Sequence, residues 1–368
     1  MEHSTSLPDR RAMRIRTLRY TVTFILPILA LLGLVRNGLW TWSIPILAFA
    51  IIPILELMLG HSDQNLTNSE EHAALEDPIY DALLYLIFPV QWVLLVLFLI
   101  QVQETDLLWW EVMGRIATMG MLCGIYGINV AHELGHRAKR WERDLARALL
   151  LTSLYMHFII EHNRGHHRHV ATPEDPASAR YGETLFAFWF RSIVYSFVSA
   201  WRIEADRMRK LNKAAYGIRN EMLQAIAWQA VLLVVIGLAF GNLALFSFIG
   251  AALTGILLLE TVNDIEHYGL RRKRTASGNY GRVQHVHSWN SNHLLGRLML
   301  FELTRHSDHH WKASKKYQVL QSLEDAPQLP TGYPGMMVLS LIPPVFFNVM
   351  HPRLKAMVQA HDTLDPPT

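Results

Sequence analysis

Six apolar runs divide the chain, each close to the about 20 residues that a helix needs to cross a hydrocarbon core. They are Leu18–Val35, Leu39–Leu59, Ile79–Gln101, Leu107–Ala131, Glu221–Phe240 and Leu243–Thr261. Arg36-Asn37-Gly38 joins the first two and Gly241-Asn242 the last two, so each pair reads as a helical hairpin. Pro27, Pro45, Pro53 and Pro89 lie inside runs, where they predict kinks rather than breaks. Two more apolar stretches, Leu145–Ile160 and Leu185–Trp201, carry Arg147, Glu161 and Arg191 at or near their ends. They read as interfacial helices leaning on one end of the bundle. The tail run Met336–Met350 holds Pro343-Pro344 and is too short and broken to span. The pattern predicts an all-α integral membrane protein with six transmembrane helices.

Composition supports the membrane reading. The chain has 368 residues, 51% hydrophobic and only 18% charged, against roughly 25% charged in soluble domains. A net charge of +3 is too small for a nucleic-acid partner. The one cysteine, Cys123, sits in an apolar run. That excludes a disulfide framework, a cysteine zinc site and an iron–sulfur module within this chain. The first residues are polar, with Arg10, Arg11, Arg14, Arg16 and Arg19 ahead of the first apolar run and no small-residue cleavage site, so they do not read as a signal peptide.

The arginines set the orientation. They place the N-terminus inside. The same side then carries Arg137, Lys139, Arg140 and Arg143 after Ala131, the stretch Arg202–Lys213, and Arg271, Arg272, Lys273 and Arg274 after Thr261. The loop Gly60–Pro78 has acids and no Lys or Arg, which weighs little in this rule. One membrane-embedded domain, 1–368, follows. Residues 1–131 hold the first four crossings and 221–262 the last two. Residues 132–220 and 263–368 form the inner, cytoplasmic part.

Histidine changes the picture. The chain has 19, and 14 of them lie between His132 and His310. His132 and His136 are four apart in AHELGHR. His162, His166 and His167 lie in EHNRGHHRHVATPEDPASAR, and His306, His309 and His310 in RHSDHH. Spacings of three and four put imidazoles on one helix face. His267, in NDIEHYG, is a ninth candidate. All four groups fall on the inner side of the topology drawn from other residues. Nine imidazoles exceed what one four-coordinate ion can use, so two ions sharing them is the economical reading. Ligand type alone allows iron, zinc, copper or nickel. His132-Glu133-x-x-His136 also matches the zinc-protease pattern, but the partner clusters leave that reading little room.

The motifs HELGHR, EHNRGHHRHVATPEDPASAR, NDIEHYGL, HSWNSN, LTRHSDHH and APQLPTGYPGM occur in this order between Ala131 and Met336. Together they resemble the signature set of the bacterial integral-membrane alkane 1-monooxygenases of the AlkB type. Fatty acid desaturases share only the histidine skeleton. The resemblance implies a non-haem di-iron centre, two iron ions held by His132, His136, His162, His166, His167, His267, His306, His309 and His310. It implies terminal hydroxylation of medium-chain n-alkanes with dioxygen, and electrons from a rubredoxin fed by a rubredoxin reductase. It also implies a bacterial cytoplasmic membrane. The sequence departs from the family pattern at His285 and His287, ahead of SWNSN, and at Trp311.

A histidine-ligated pair of ions recruits carboxylates that orient imidazole N–H groups. Asp175, Glu260, Asp264 and Asp308 are the candidates, with Arg180 a partner for Asp175. PEDPASAR, with two prolines, reads as rigid support behind the second cluster. His287 reads as a supporting or partner-contact residue. His169, His285 and His293 read as surface or hydrogen-bonding residues, and His3, His61, His72, His351 and His361 carry no role. Trp40, Phe49, Leu55 and Met58 are candidates to line a substrate channel. Three basic stretches, Arg207–Lys213, Arg271–Arg274 and Lys312–Lys316, suit anionic lipid or an acidic electron carrier. The rival readings are a xylene-type monooxygenase, a membrane desaturase and a histidine-rich metal transporter or sensor.

Overall fold

A computed structural model describes residues 10–366; His3 lies outside the described residues. Among the described residues the fold is built from helices joined by irregular stretches, with isolated β-bridges such as Arg272 with Leu364 and Asn290 with Gln328. Among the described residues, four helices are long and apolar enough to cross a membrane: Arg11–Val35, Gly38–Leu59, Pro78–Gln101 and Glu221–His267. Six were expected, and the difference has two sources. The last two expected crossings lie in one 47-residue element, interrupted only at Gly241, whose φ of 81° and ψ of 179° are not helical. A glycine tolerates that conformation at little cost. The fourth expected crossing, Leu107–Ala131, is helical from Trp109, but it carries Glu111, Arg115 and Asn129 and is not apolar enough to count among the four.

The first two spans form the expected hairpin, turning at Gly38 with φ +70°. Pro89 is absorbed inside an unbroken helix. In the second span Pro45 and Pro53 flank a π-helical stretch, Leu47–Ile51. The expected interfacial stretches become Arg140–Leu151 with the short turn Phe158–Glu161, and a single helix Leu185–Lys210. The tail breaks ahead of Pro343 into Tyr333–Ser340 and Pro343–Ala360.

The long helix packs closely on residues 109–135. A Cβ on Gly255 would come 2.7 Å from Cys123 Cβ and 2.9 Å from Gly124 N, and one on Gly120 would come 2.4 Å from Thr254 Cβ. Small residues at this seam let two backbones approach, as helix pairs in lipid require. This contact brings the end of the 109–135 helix, with His132, beside the end of the long helix, with His267.

Candidate metal centre

Each histidine motif sits at a helix end or a short helix. His132 follows an eight-residue π-helix, Cys123–Val130, and His136 closes the turn after it. His162–His166 is itself π-helical, and His306–Trp311 is a single short helix. The nine imidazoles fall into two groups. His132, His136, His162, His167 and His309 form the first, and His166, His267, His306 and His310 the second. Within each group, one nitrogen per ring lies within 4.8 Å of the others.

This division cuts across the sequence motifs. His306 and His310 share a group as their spacing predicts, with Nε2 atoms 2.9 Å apart. His162 and His166 do not. A π-helix closes i→i+5 hydrogen bonds and turns less per residue than an α-helix. Position i+5 is thereby brought back toward the face of position i. His162 Nε2 lies 3.0 Å from His167 Nε2, while His166 is carried to the second group, 3.2 Å from His310. Adjacent His309 and His310 also part: His309 Nε2 lies 2.9 Å from His132 and 3.1 Å from His167. Gly165 allows the turn to sit where it does, because a Cβ there would lie 2.4 Å from Glu161 Oε1.

The donor set fits metal ions at both groups. Two imidazoles on one ion, with bonds of about 2.0–2.1 Å at right angles, place their nitrogens about 2.9 Å apart. The observed Nε2 separations are 2.9–3.2 Å. His136 Nε2 and His267 Nε2 are buried without a protein partner, an arrangement that is rare unless an ion or water completes it. Burial, then the neighbouring rings, push His162, His167, His306, His309 and His310 well below the usual imidazole range. These rings are therefore neutral, as ligands must be.

His166 differs. Burial pushes its pKa down, but Asp175 outweighs that and holds it above the usual value. Asp175 Oδ2 lies 2.9 Å from His166 Nδ1 and accepts a 2.5 Å hydrogen bond from Ser178 Oγ, while Oδ1 accepts from Ala177 N at 3.1 Å. A left-handed Ala171, φ +58°, starts this turn, and Ser178 Oγ accepts from its backbone N–H. PEDPASAR is thus the scaffold of one carboxylate, whose side-chain partners are His166 and Ser178 and not Arg180. Asp175→Asn keeps the shape but loses the charge on His166. It is expected to lower metal affinity about 10–100-fold, read by metal retention against a chelator series.

The other three candidate acids do not touch an imidazole. Glu260 accepts from Tyr155 Oη at 2.8 Å and from Ser192 Oγ at 2.5 Å. Both oxygens of Asp264 are buried without a hydrogen-bond partner. Asp308 receives Lys315 Nζ at 2.8 Å and the Gln321 backbone N–H at 2.9 Å. Glu133 is held by Arg137 at 2.7 Å and by the Tyr317 N–H, so it does not stand as a free base beside His132. The acid that sequence reasoning missed is Glu266. Its Oε2 lies 3.1 Å from His306 Nε2, and its Oε1 accepts from Tyr333 Oη at 2.7 Å. The signal was its place beside His267 at the end of an apolar helix. His267 hydrogen-bonds the His287 backbone, so HSWNSN supports the second group through its main chain. The two departures meet in space, with the rings of His285 and Trp311 4.7 Å apart.

An apolar cleft reaches both groups. Ile125, Phe158, Leu258, Leu259, Val262 and Leu300 line it, together with His132 and His162 of the first group, His306 of the second, and Glu266. Phe158 stacks on His162 at 4.7 Å. Trp40, Leu55 and Met58 are exposed on the outer surface, Phe49 packs in the core, and none of them lines this cleft.

Comparison with known proteins agrees with this geometry. The Fatty acid desaturase family matches residues 108–340. "Alkane 1-monooxygenase 1" of Pseudomonas aeruginosa is 41% identical over 330 residues, 86% of this chain and 84% of its own. "Alkane 1-monooxygenase 1" of Alcanivorax borkumensis is 36% identical, covering 92% and 84%. The xylene/toluene monooxygenase hydroxylase component XylM of Pseudomonas putida is 26% identical, covering 94% and 91%. The chain is therefore a multi-pass bacterial membrane oxidoreductase that belongs to the fatty acid desaturase family and, within it, to the alkane 1-monooxygenases.

Proposed function

We propose that the protein hydroxylates the terminal carbon of medium-chain n-alkanes, using dioxygen and two electrons from a rubredoxin that a rubredoxin reductase recharges. The observation that carries this reading is the apolar cleft lined by His132, His162 and His306, which sets an apolar surface against both imidazole groups at once. The nine histidines would hold two iron ions, five toward one and four toward the other. When bound, the irons supply the dioxygen chemistry that an unactivated C–H bond demands, since such a bond offers no polar handle and no acidic proton.

The chain's own groups do the rest. Leu258, Leu259 and Val262 hold the alkyl chain by apolar contact. Phe158, packed on His162, keeps water from the cleft end. Asp175 fixes the orientation of His166. The Arg and Lys placement supports a cytoplasmic face for the N-terminus and the histidines, in a bacterial cytoplasmic membrane. Histidines gathered at helix ends argue against a transporter, which would spread ligands along a midplane path.

The XylM match keeps alkyl side chains of aromatics as a second reading. Purified protein given reduced rubredoxin, dioxygen and either octane or a xylene separates the two. We expect 1-octanol, weak turnover of xylene, and about two irons per chain. Faster benzylic hydroxylation than octanol formation would favour the second reading. An alkene product would mark a desaturase, and one zinc per chain would sink both.

A further inference from the structure

A groove of about 420 Å³ opens on the surface apart from the apolar cleft. Ile159 and Ile160 line it, just ahead of Glu161 and the π-helical histidine turn. Two helices form its long walls. From Arg140–Leu151 come Arg140, Asp144, Arg147, Ala148 and Leu151, spaced to share one helix face. From the start of the long helix come Glu221, Gln224, Ala225 and Trp228, again on one face. The two walls run in the same direction. Arg147 Nη2 lies 3.7 Å from Glu221 Oε1, and farther along the Met156 N–H donates to Gln229 Oε1 at 2.9 Å. Both walls therefore pass from charged to apolar toward the same end. Beyond Trp228, which is 59% exposed, Val231 and Val235 continue the apolar face, exposed as well, for about 10 Å.

At the charged end two guanidinium groups, Arg140 and Arg147, balance two carboxylates, Asp144 and Glu221. They pair with one another. Arg147 donates to Asp144 at 2.7 Å, Arg140 Nε lies 3.8 Å from Asp144, and Glu221 also accepts from Arg164 at 3.0 Å. The Arg140 side chain is 87% exposed and that of Asp144 51%. Exposed pairs of this kind contribute little, so a headgroup exchanges into them at small cost. An anionic headgroup suits a purely basic pocket, but here it meets two carboxylates. A headgroup with a phosphate and a primary ammonium finds a partner for each. Its phosphate oxygens accept from the guanidinium groups, and its ammonium N–H groups donate to the carboxylates. A quaternary ammonium has no N–H to donate. We propose that this groove binds one phosphatidylethanolamine molecule, its headgroup among Arg140, Asp144, Arg147 and Glu221 and an acyl chain along Leu151, Ala225 and Trp228. Trp228 stands where headgroup gives way to chain, the level that indole rings favour in membranes. Bound there, the lipid ties Arg140–Leu151 to the long helix and stabilises the fold. The inference needs neither iron nor substrate, so it stands apart from the oxygenase reading.

The test uses the full-length protein in detergent, given equal amounts of phosphatidylethanolamine, phosphatidylcholine and phosphatidylglycerol with identical acyl chains. Native mass spectrometry reads which lipid each chain keeps. A thermal scan reads the midpoint with each lipid added alone. Wild type is compared with Ala148→Phe, which fills the groove and leaves its charges, and with Arg140→Glu, which reverses one charge at the exposed end. Lys355→Glu, an exposed charge on the last helix, is the control. We expect wild type to keep one phosphatidylethanolamine per chain, preferred about tenfold or more over the other two, as one charge-assisted hydrogen bond allows. The same lipid should raise the midpoint, because it binds only the folded state. Ala148→Phe and Arg140→Glu should lose both effects, and Lys355→Glu neither. Should Ala148→Phe fail to fold, Arg140→Glu still decides, since its side chain meets mainly solvent. Equal retention of the three lipids would mean a non-selective lipid layer and overturns the proposal. Preference for phosphatidylglycerol, a lipid-free dimer, or unchanged retention in either groove variant overturns it as well.

Discussion

His166→Ala is expected to lower bound iron from about two per chain to about one, and to reduce hydroxylation by on the order of a thousandfold or more, about 4 kcal/mol of barrier. The variant should still insert and fold, because the helices that carry the bundle do not depend on this ring. The informative comparison is with its neighbour, His167→Ala. If the π-helical turn divides the two rings as the structure has it, each variant empties a different group. The iron that remains should then have different spectroscopic parameters in the two proteins. His310→Ala should match His166→Ala, and His309→Ala should match His167→Ala. Pairing by sequence motif instead, with His166 and His167 alike, would contradict the division. Full hydroxylation by any of the four would sink the metal assignment itself.

Glu302→Ala is expected to destabilise the fold by about 3–5 kcal/mol, the usual result of breaking a buried pair from one side. Glu302 accepts from Arg297 Nε at 2.7 Å and from Tyr20 Oη at 2.7 Å, with Arg305 Nε at 3.5 Å. Without it, two buried guanidinium groups face each other with no counter-charge. Arg305 also donates to the Leu320 and Gln64 carbonyls and directly precedes His306, so the loss should loosen the third histidine helix. Phe301 and Glu302 both adopt left-handed backbone, φ +52° and +57°, which side-chain-bearing residues hold only where surroundings fix them. A lower thermal midpoint in detergent, with Glu302→Gln less affected, is the expected readout. An unchanged midpoint would show that the network is not structural.

The same carboxylate predicts a pH dependence. Burial raises its pKa, but Arg297 and Arg305 outweigh burial, and the folded value lies below the ordinary carboxylate range. A depressed folded pKa contributes stability that is complete above the unfolded pKa and is lost as pH falls through the folded one. Glu302 should therefore add to acid sensitivity below about pH 4, and Glu302→Gln should flatten that part of the profile.

The sequence by itself determined a good deal. Long apolar runs separated by short polar turns specify membrane helices, because no other open structure satisfies its backbone in lipid. The turns at Gly38 and Gly241 were legible, since each puts a glycine in a break of two or three residues between two apolar runs. Eight of the nine histidines were legible as candidates through their spacing, His267 through its place at the inner end of the last apolar run, and Asp175 as an acid in the rigid run behind the second cluster. Crossing count was not legible from runs alone, because apolar composition does not reveal where one helix continues past a kink or where Glu111, Arg115 and Asn129 interrupt a span. The division of the histidines was not legible either. Spacing implies a face only for a stated helix type, and the π turns at Cys123–Val130 and His162–His166 change the phase by one residue. Glu266, which meets His306 and Tyr333, and the cleft at Phe158 depend on residues far apart in the chain, which only the tertiary packing brings together.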